Sequence, residues 1–366
     1  MVIAKEYDLG KNMQHLDFAL IEPHIHQWDP YNMPHAAALA VKLLGKHPKL
    51  LDKMVRLVKP KDLIETIGLT RHITRPYLPQ DYKRDTGPYT VEQVVHVEAS
   101  WHHSKGKGVV EETQFIESLA FGADTVKLGG IVATADPRDR NFKKILKLHH
   151  KASPHFRGIR KMASFHEDKE IHAWTDEPQL YRNKKFLKGF EVLSQYNLSF
   201  DAWVYSTQLE DVIYLAKQFP ETSIVLDHLG TPAGLFGPIG ANTGMTQTAR
   251  ENIFFRWKDD LAELASYPNV YTKMSGLFMP VLGHRFHKEG RLASKQEVFD
   301  LAHPMITHAL ACFGTYRVMF ASNFPMDSVS TSLINIIDAL SDVVAAYDPD
   351  ALKRVFHHNA KQFYRL

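Results

Sequence analysis

Ala19-Leu20-Ile21-Glu22-Pro23-His24-Ile25-His26-Gln27-Trp28-Asp29 begins apolar and ends in two histidines one residue apart. On a strand, residues i and i+2 share a face. His24 and His26 are therefore predicted to point the same way at the C-terminal end of a short buried strand, roughly Phe18 to His24. Imidazoles paired in this way grip a metal ion, or bind and polarise a carbonyl or carboxylate group. A loop histidine beside a buried one has the same spelling, so the rest of the chain must decide.

Working outward, Asp29 to about Tyr89 does not read as a compact strand–helix repeat. It carries one apolar-periodic helix from Ala36 to Gly45 and a second from Lys49 to Leu57. Pro60, Pro76 and Pro79 then punctuate a looser stretch that ends in Gly87-Pro88. This segment, 29–89, reads as a helical insertion that either covers the mouth of a site as a lid or covers the barrel's side. A rhythm starts after Val91. Strands are predicted at Val94–Ala99, Thr125–Ala133, Phe156–Met162, Leu198–Val204, Ser223–Asp227, Val270–Met274 and Tyr316–Ala321. Helices are predicted at Glu111–Phe121, after Pro137, at Pro178–Tyr196, at Gln208–Gln218 and near Asn252–Ser266. With the first strand, this makes eight short apolar strands separated mostly by helices.

Alternating strands and helices imply a parallel sheet, and eight of them fit a closed (β/α)8 TIM barrel spanning residues 1–366 as one domain. Sites in such barrels form at the C-terminal strand ends. Here those ends carry His24, His26, Glu98, Arg160, Trp203, Gln208, His228, Lys273, Ser275 and Asn323, more polar residues than a strand boundary requires. The long Gly-containing loops Thr231–Arg250 and Leu277–Lys295 are the natural walls of a pocket.

Composition bounds the function. Of 366 residues, 44% are hydrophobic and 23% charged, and 44 Lys and Arg against 41 Asp and Glu leave a formal charge of +3. No basic block points to nucleic acid or a membrane surface. The short cluster Arg182-Asn183-Lys184-Lys185 reads as a solvated helix face. A lone cysteine, Cys312, excludes an intrachain disulfide and fits a reducing, cytoplasmic setting. The opening Met-Val-Ile-Ala-Lys-Glu-Tyr-Asp lacks a signal-peptide core, and no uncharged apolar run reaches membrane-spanning length. The expected partner is a small-molecule substrate, with self-association into a homo-oligomer left open.

Among single residues, Arg160 offers a fixed fork for a substrate carboxylate or carbonyl, or an ion pair with Glu98. Glu98 is a metal ligand, a general base or that partner. Lys273 alternates with Tyr271 and Ser275, so it faces the barrel interior, where a buried lysine needs a partner. Asp327 either caps the helix that follows or acts as a base. Trp28 and Trp203 are packing residues or stacking platforms.

The sequence resembles the amidohydrolase-2 branch of the amidohydrolase superfamily. The likeness rests on the first-strand His24-Ile25-His26, LDHLGTP at 226–232, NVYTKMSGLF at 269–278, MFASNFP at 319–325 and the C-terminal HNAKQFYRL at 358–366. HVEA at 96–99, GIR at 158–160 and the SNFP at 322–325 resemble its sugar-lactone and dicarboxylate-lactone hydrolases in particular. The resemblance implies a (β/α)8 barrel and hydrolysis of a lactone or related ester. Fuller members of the family hold one or two metal ions and some of its lactonases work without metal; in this chain His24, His26 and His228 offer nitrogen donors for a single divalent ion, zinc by preference. The chain departs from the family pattern at Glu22, where Asp usually precedes the His-x-His. Its fifth strand has no histidine at its end, and Asn323 stands in place of the eighth-strand aspartate. An amide is a poor ligand and no base near neutral pH. The expected catalytic group is His24, His26, His228, Arg160, Asn323 and Asp327. Glu98, Trp203, Gln208 and Lys273 are expected to bind substrate, and His24, His26, His228 and Glu98 to hold metal. The competing readings are a lactone isomerase, a decarboxylase of the same branch that uses Glu22, and a binding barrel without catalysis.

Overall fold

Eight parallel strands run in the order β1 to β8, each paired with the next, in the computed structural model of the protein. The structure describes residues 16–32, 43–44 and 47–366. The strands are β1 (Leu20–Ile25), β2 (Val91–Val97), β3 (Lys127–Thr134), β4 (Phe156–Arg160), β5 (Ser199–Ala202), β6 (Ile224–Leu226), β7 (Val270–Met274) and β8 (Val318–Phe320). The edges meet where Asn323 N donates to the His24 carbonyl at 3.0 Å and His26 N to the Phe324 carbonyl at 2.8 Å. The result is a (β/α)8 barrel.

The main helices are α1 (Pro48–Val58), α2 (Lys61–Ile67), α3 (Pro79–Asp85), α4 (Val110–Glu117), α5 (Phe142–Ala152), α6 (Lys184–Phe190), α7 (Leu209–Gln218), α8 (Gln247–Ala265), α9 (Lys295–Phe313), α10 (Leu333–Tyr347) and α11 (Asn359–Tyr364). Most of the apolar core lies between the strands and the outer helices. A second cluster fills the barrel's interior, where Ile21, Val95, Val132, Val225 and Met319 meet Phe363 and Tyr364 of α11. α11 thus plugs the bottom, at the N-terminal ends of the strands.

The expected helix Lys49–Leu57 is present as α1. The expected helix Ala36–Gly45 lies outside the described residues apart from Leu43 and Leu44. One element differs clearly. The single helix expected over Pro178–Tyr196 is three pieces: a 3-10 turn at Leu180–Arg182, α6, and one further turn at Val192–Gln195. Asn183 breaks it, because its backbone is extended and its side chain accepts from the Lys185 and Phe186 amides, the work of an N-cap. Within α6, Gly189 lets the helix press on the 137 loop, since a Cβ there would lie 1.9 Å from the Pro137 carbonyl oxygen. The helix expected from Asn252 starts earlier, at Gln247, where the Thr246 hydroxyl accepts from the Ala249 amide.

The segment between β1 and β2 packs its own apolar residues, Leu51, Val55, Ile64 and Ile67, into a small core beside Met326 of the β8 exit. Among the described residues, no helix is long and apolar enough to cross a membrane.

Candidate active site

Pro23 cannot donate to the sheet ladder, and β1 is irregular against β2 between Glu22 and Ile25. This irregularity separates Glu22 from His24, which a regular strand would place on one face. Glu22 is fully buried and accepts from the His24 amide at 2.9 Å, the Ser322 amide at 3.1 Å and the Tyr82 hydroxyl of α3 at 3.3 Å. It is a brace between β1, the β8 exit and the insertion, not the deep metal donor that the decarboxylase reading requires. Burial pushes its carboxyl up to about 7.

His24 faces the barrel axis instead. Its Nδ1 lies 3.1 Å from Lys273 Nζ and 3.3 Å from Asp227 Oδ1, and its Nε2 lies 3.4 Å from Arg160 Nη1. Burial, and then Lys273, hold its pKa well below the ordinary histidine value, so the ring is neutral. The ring thus lies between two cationic donors, Lys273 at Nδ1 and Arg160 at Nε2, with the Asp227 carboxylate beside Nδ1. The His26 ring stands edge-on to it, with centroids 5.0 Å apart. His26 Nδ1 donates to the Val97 carbonyl at 2.8 Å, and Nε2 lies 3.2 Å from Asn323 Oδ1. Burial takes this ring down to about 3.

Below the histidines runs a column of buried charge. Lys273 Nζ donates to Asp201 Oδ2 at 2.5 Å and sits 3.0 Å from Asp227 Oδ1. The Tyr364 hydroxyl, from α11, donates to Asp201 at 2.8 Å. Burial lifts Asp201 to about 6 against the pull of Lys273. For Asp227, burial is outweighed by Lys273 and His24, and its carboxyl titrates well below the usual range. Arg160 continues the column upward. Its Nε donates to Glu98 Oε1 and its Nη2 to the Glu98 carbonyl, both at 2.8 Å, while Asp227 Oδ2 lies 3.6 Å from Nη1. Asp227 therefore faces Lys273, His24 and Arg160 at once.

His228 follows β6 in a left-handed stretch, with φ of 57° at His228 and 50° at Leu229. Such backbone is costly for non-glycine residues and concentrates at functional sites. Asn323, at the β8 exit, has φ of 57° as well. His228 Nδ1 lies 2.9 Å from Ser275 Oγ. Gly276 permits that approach, because a Cβ there would lie 2.4 Å from the His228 ring. Burial holds His228 down to about 3, with Asp227 opposing.

These groups floor a cavity of about 240 Å³ lined by His26, Glu98, Arg160, Trp203, His228 and Asn323. The barrel mouth therefore gathers His26, His228, Arg160, Glu98 and Asn323, with His24 and Lys273 fully buried beneath them. Three other expected site residues are placed elsewhere or otherwise engaged. Lys273 is fully buried under His24 and does not reach the cavity. Gln208 spends its amide on the chain: Oε1 accepts from Phe165 N at 2.7 Å, and Nε2 donates to the Ala163 and Pro178 carbonyls. Asp327 does not cap the next helix, α10, whose cap is Ser332. It accepts from Asn323 Nδ2 at 2.8 Å and Phe278 N at 3.2 Å, tying the β7 and β8 exits together. Burial raises its carboxyl to about 7.

Sequence reasoning missed Asp201, Asp227 and Tyr364. A charged residue inside a buried strand such as Ser199-Phe200-Asp201-Ala202 was a usable signal, because it demands a partner. Nothing local marks Tyr364 as that partner. Among the described residues, His24, Asp227 and His228 form a buried group whose potential ligand atoms lie within 4.8 Å of one another; His26 and Glu98 are not part of it. A second such group, His102, His103 and Glu111, lies largely at the surface.

The chain is similar in sequence to two curated relatives. The "Uncharacterized protein y4mH" of Sinorhizobium fredii is 29% identical over 353 residues, 96% of this chain and 99% of that protein. An L-fucono-1,5-lactonase of Burkholderia ambifaria is 28% identical over 219 residues, 58% of this chain and 62% of its own. A crystal structure of an amidohydrolase from Burkholderia multivorans with bound zinc aligns with a TM-score of 0.65 at 19% identity, covering 95% of this chain and all of that one. At that identity, the likeness is one of fold. A model of the amidohydrolase family matches residues 21–366, from the first strand through the terminal helix that plugs the barrel, and the chain belongs to that family.

Proposed function

We propose that the protein hydrolyses a lactone at the barrel mouth, with His228 as general base and Arg160 as the electrophilic group. The observation that carries this reading is the pairing of a neutral, buried imidazole and a guanidinium on one cavity floor. With His228 Nδ1–H donated to Ser275 Oγ, its Nε2 carries a lone pair. That nitrogen takes a proton from water as the water oxygen attacks the lactone carbonyl. Asp227 favours the imidazolium so formed. Arg160, with Nε held by Glu98 and Nη1 facing His24 and Asp227, keeps the second Nη2 N–H for the developing oxyanion. The ring C–O bond then breaks, the departing alkoxide takes the proton back from His228, and a hydroxy acid leaves. The activity named for the Burkholderia ambifaria relative supports a lactone as substrate.

The buried donors also fit a divalent cation. His24, Asp227 and His228 supply two imidazoles and a carboxylate whose ligand atoms lie within 4.8 Å of one another. Bound there, such an ion would supply Lewis-acid polarisation of the carbonyl. Lys273 beside Asp227 and the amide of Asn323 both act against tight binding.

The test is His228→Asn, assayed on whichever lactone of a panel the wild type opens. The variant is expected to lose roughly 10²–10⁴ in kcat, the usual worth of a general base, and to keep its circular dichroism and melting curve. Turnover at the wild-type rate would remove His228 from the mechanism.

A further inference from the structure

We infer that the substrate is a lactone bearing an apolar, aliphatic or aromatic, substituent, and not a polyhydroxylated sugar lactone. This rests on the lactone-hydrolase reading above and gives its substrate class.

The chemistry of the cavity changes sharply with height. Its floor is polar: His26, Glu98, Arg160, His228 and Asn323. Above that layer, the walls are mainly apolar among the described residues. The insertion contributes Val55, Ile64 and Ile67, and the β4 and β7 exit loops contribute Met162, Trp174 and Met279. Val55, Ile64 and Ile67 belong to the insertion's own small hydrophobic core, so that core and the pocket wall are one surface. On the β5 side, the wall is a pair of indoles, Trp174 and Trp203, with ring centroids 5.3 Å apart.

Among the described residues, the polar groups above the floor do not form a sugar site. The Thr66 hydroxyl is already donated to the Asp62 carbonyl at 2.9 Å. Lys59 and Ser100 are exposed at the rim. Thr74 adds one hydroxyl. A sugar lactone carries a hydroxyl on nearly every ring carbon. Each one taken from water into this wall without a partner weakens binding roughly ten- to hundredfold. A methylene placed against the same wall strengthens binding roughly fourfold. Thioether, isoleucine and indole surfaces suit an alkyl chain or an aryl ring. The floor needs only one ester group to act on, which fits a ring held carbonyl-down with its substituent among the insertion residues.

The experiment uses the full chain and two readouts. The first is kcat/KM for unsubstituted δ-valerolactone, δ-decalactone, dihydrocoumarin and glucono-1,5-lactone, followed by acid release. The alkyl- and aryl-bearing lactones are expected to exceed valerolactone by at least tenfold and the sugar lactone by at least a hundredfold. A sugar lactone opened faster than the decalactone overturns the inference and leaves the hydrolase reading standing. The second readout is quenching of tryptophan fluorescence by δ-lactams with and without a pentyl chain, which bind but do not turn over. At least tenfold tighter binding of the pentyl lactam is expected in the wild type, and most of that margin should be lost in Ile67→Asn. Equal binding of the two lactams overturns the inference. If no lactone is opened, the hydrolase reading falls, and the lactam pair still decides the chemistry of the wall.

Discussion

Lys273 holds two carboxylates, Asp201 at 2.5 Å and Asp227 at 3.0 Å, in the fully buried interior of the barrel. Removing one partner of a buried ion pair costs more than the pair contributes, because the other charge is left without compensation. Lys273→Met is therefore expected to lower unfolding free energy by about 3–5 kcal/mol, read from urea denaturation. Adding Asp201→Asn should recover part of that loss. The same change should alter metal affinity in the opposite sense. The ammonium lies beside Asp227 and His24, two of the three donors of the candidate metal group. At an effective dielectric constant of about 20, a unit charge a few ångströms from an ion is worth several kcal/mol. Zinc should thus bind Lys273→Met at least about tenfold more tightly than wild type, in competition with a chromophoric chelator. Equal affinities would show that Lys273 does not control the site. The structure thereby assigns a residue that sequence reading expected to touch substrate to a place beneath the chemistry.

At the scale of elements, Gln208 is the fastening of the loop between β4 and α6. Its amide meets Phe165, Ala163 and Pro178, which lie either side of Trp174, and Trp174 forms part of the pocket wall. Gln208→Leu keeps the volume but leaves a buried amide and two carbonyls without a partner, at roughly 1–3 kcal/mol for each group. The loop, not the barrel, is the part free to relax. KM is expected to rise about tenfold while kcat changes less than about twofold, because uniform binding is lost and transition-state contacts are not. A fall in kcat with KM unchanged would place Gln208 in the chemistry instead. The strands themselves were legible because a parallel barrel buries both faces, which leaves short apolar runs closed by polar exits. The Pro178–Tyr196 helix was misread as one piece because apolar periodicity continues across Asn183. The break lies in a side chain capping the backbone, which periodicity does not record.

Across the whole molecule, the site was legible where it touches the strand exits and illegible along the barrel axis. His24, His26, Glu98, Arg160, His228 and Asn323 are each marked by a polar residue ending an apolar run. Asp201, Asp227 and Tyr364 matter only because three distant segments meet inside the barrel, and no local pattern carries that. Glu22 shows the same limit: a regular strand would have sent it inward with His24, and one irregularity at Pro23 turns it against Tyr82 and Ser322. Its consequence is global and measurable. Burial raises the Glu22 carboxyl from the ordinary value of 4.5 to about 7. A group whose folded pKa is raised contributes stability that is fully present below its unfolded pKa and is lost as pH rises through the folded value. For Glu22, that window runs from about 4.5 to about 7. The buried histidines act in the opposite sense. His26 and His228 are held down to about 3, so they stabilise above 6.5 and lose that contribution as pH falls. The two effects overlap in the wild-type curve, and a difference against Glu22→Gln separates them. The glutamine can still accept from the Ser322 and His24 amides and can donate to the Tyr82 hydroxyl, but it never ionises. Relative to wild type, Glu22→Gln is expected to gain stability between pH 4.5 and 8 by on the order of 3 kcal/mol, the worth of the shift in free energy, with most of the gain falling between pH 5 and 7. Urea denaturation of both proteins across that range reads it directly. A stability difference that stays constant with pH would mean that Glu22 is ionised throughout, stabilised by its three donors in spite of its burial.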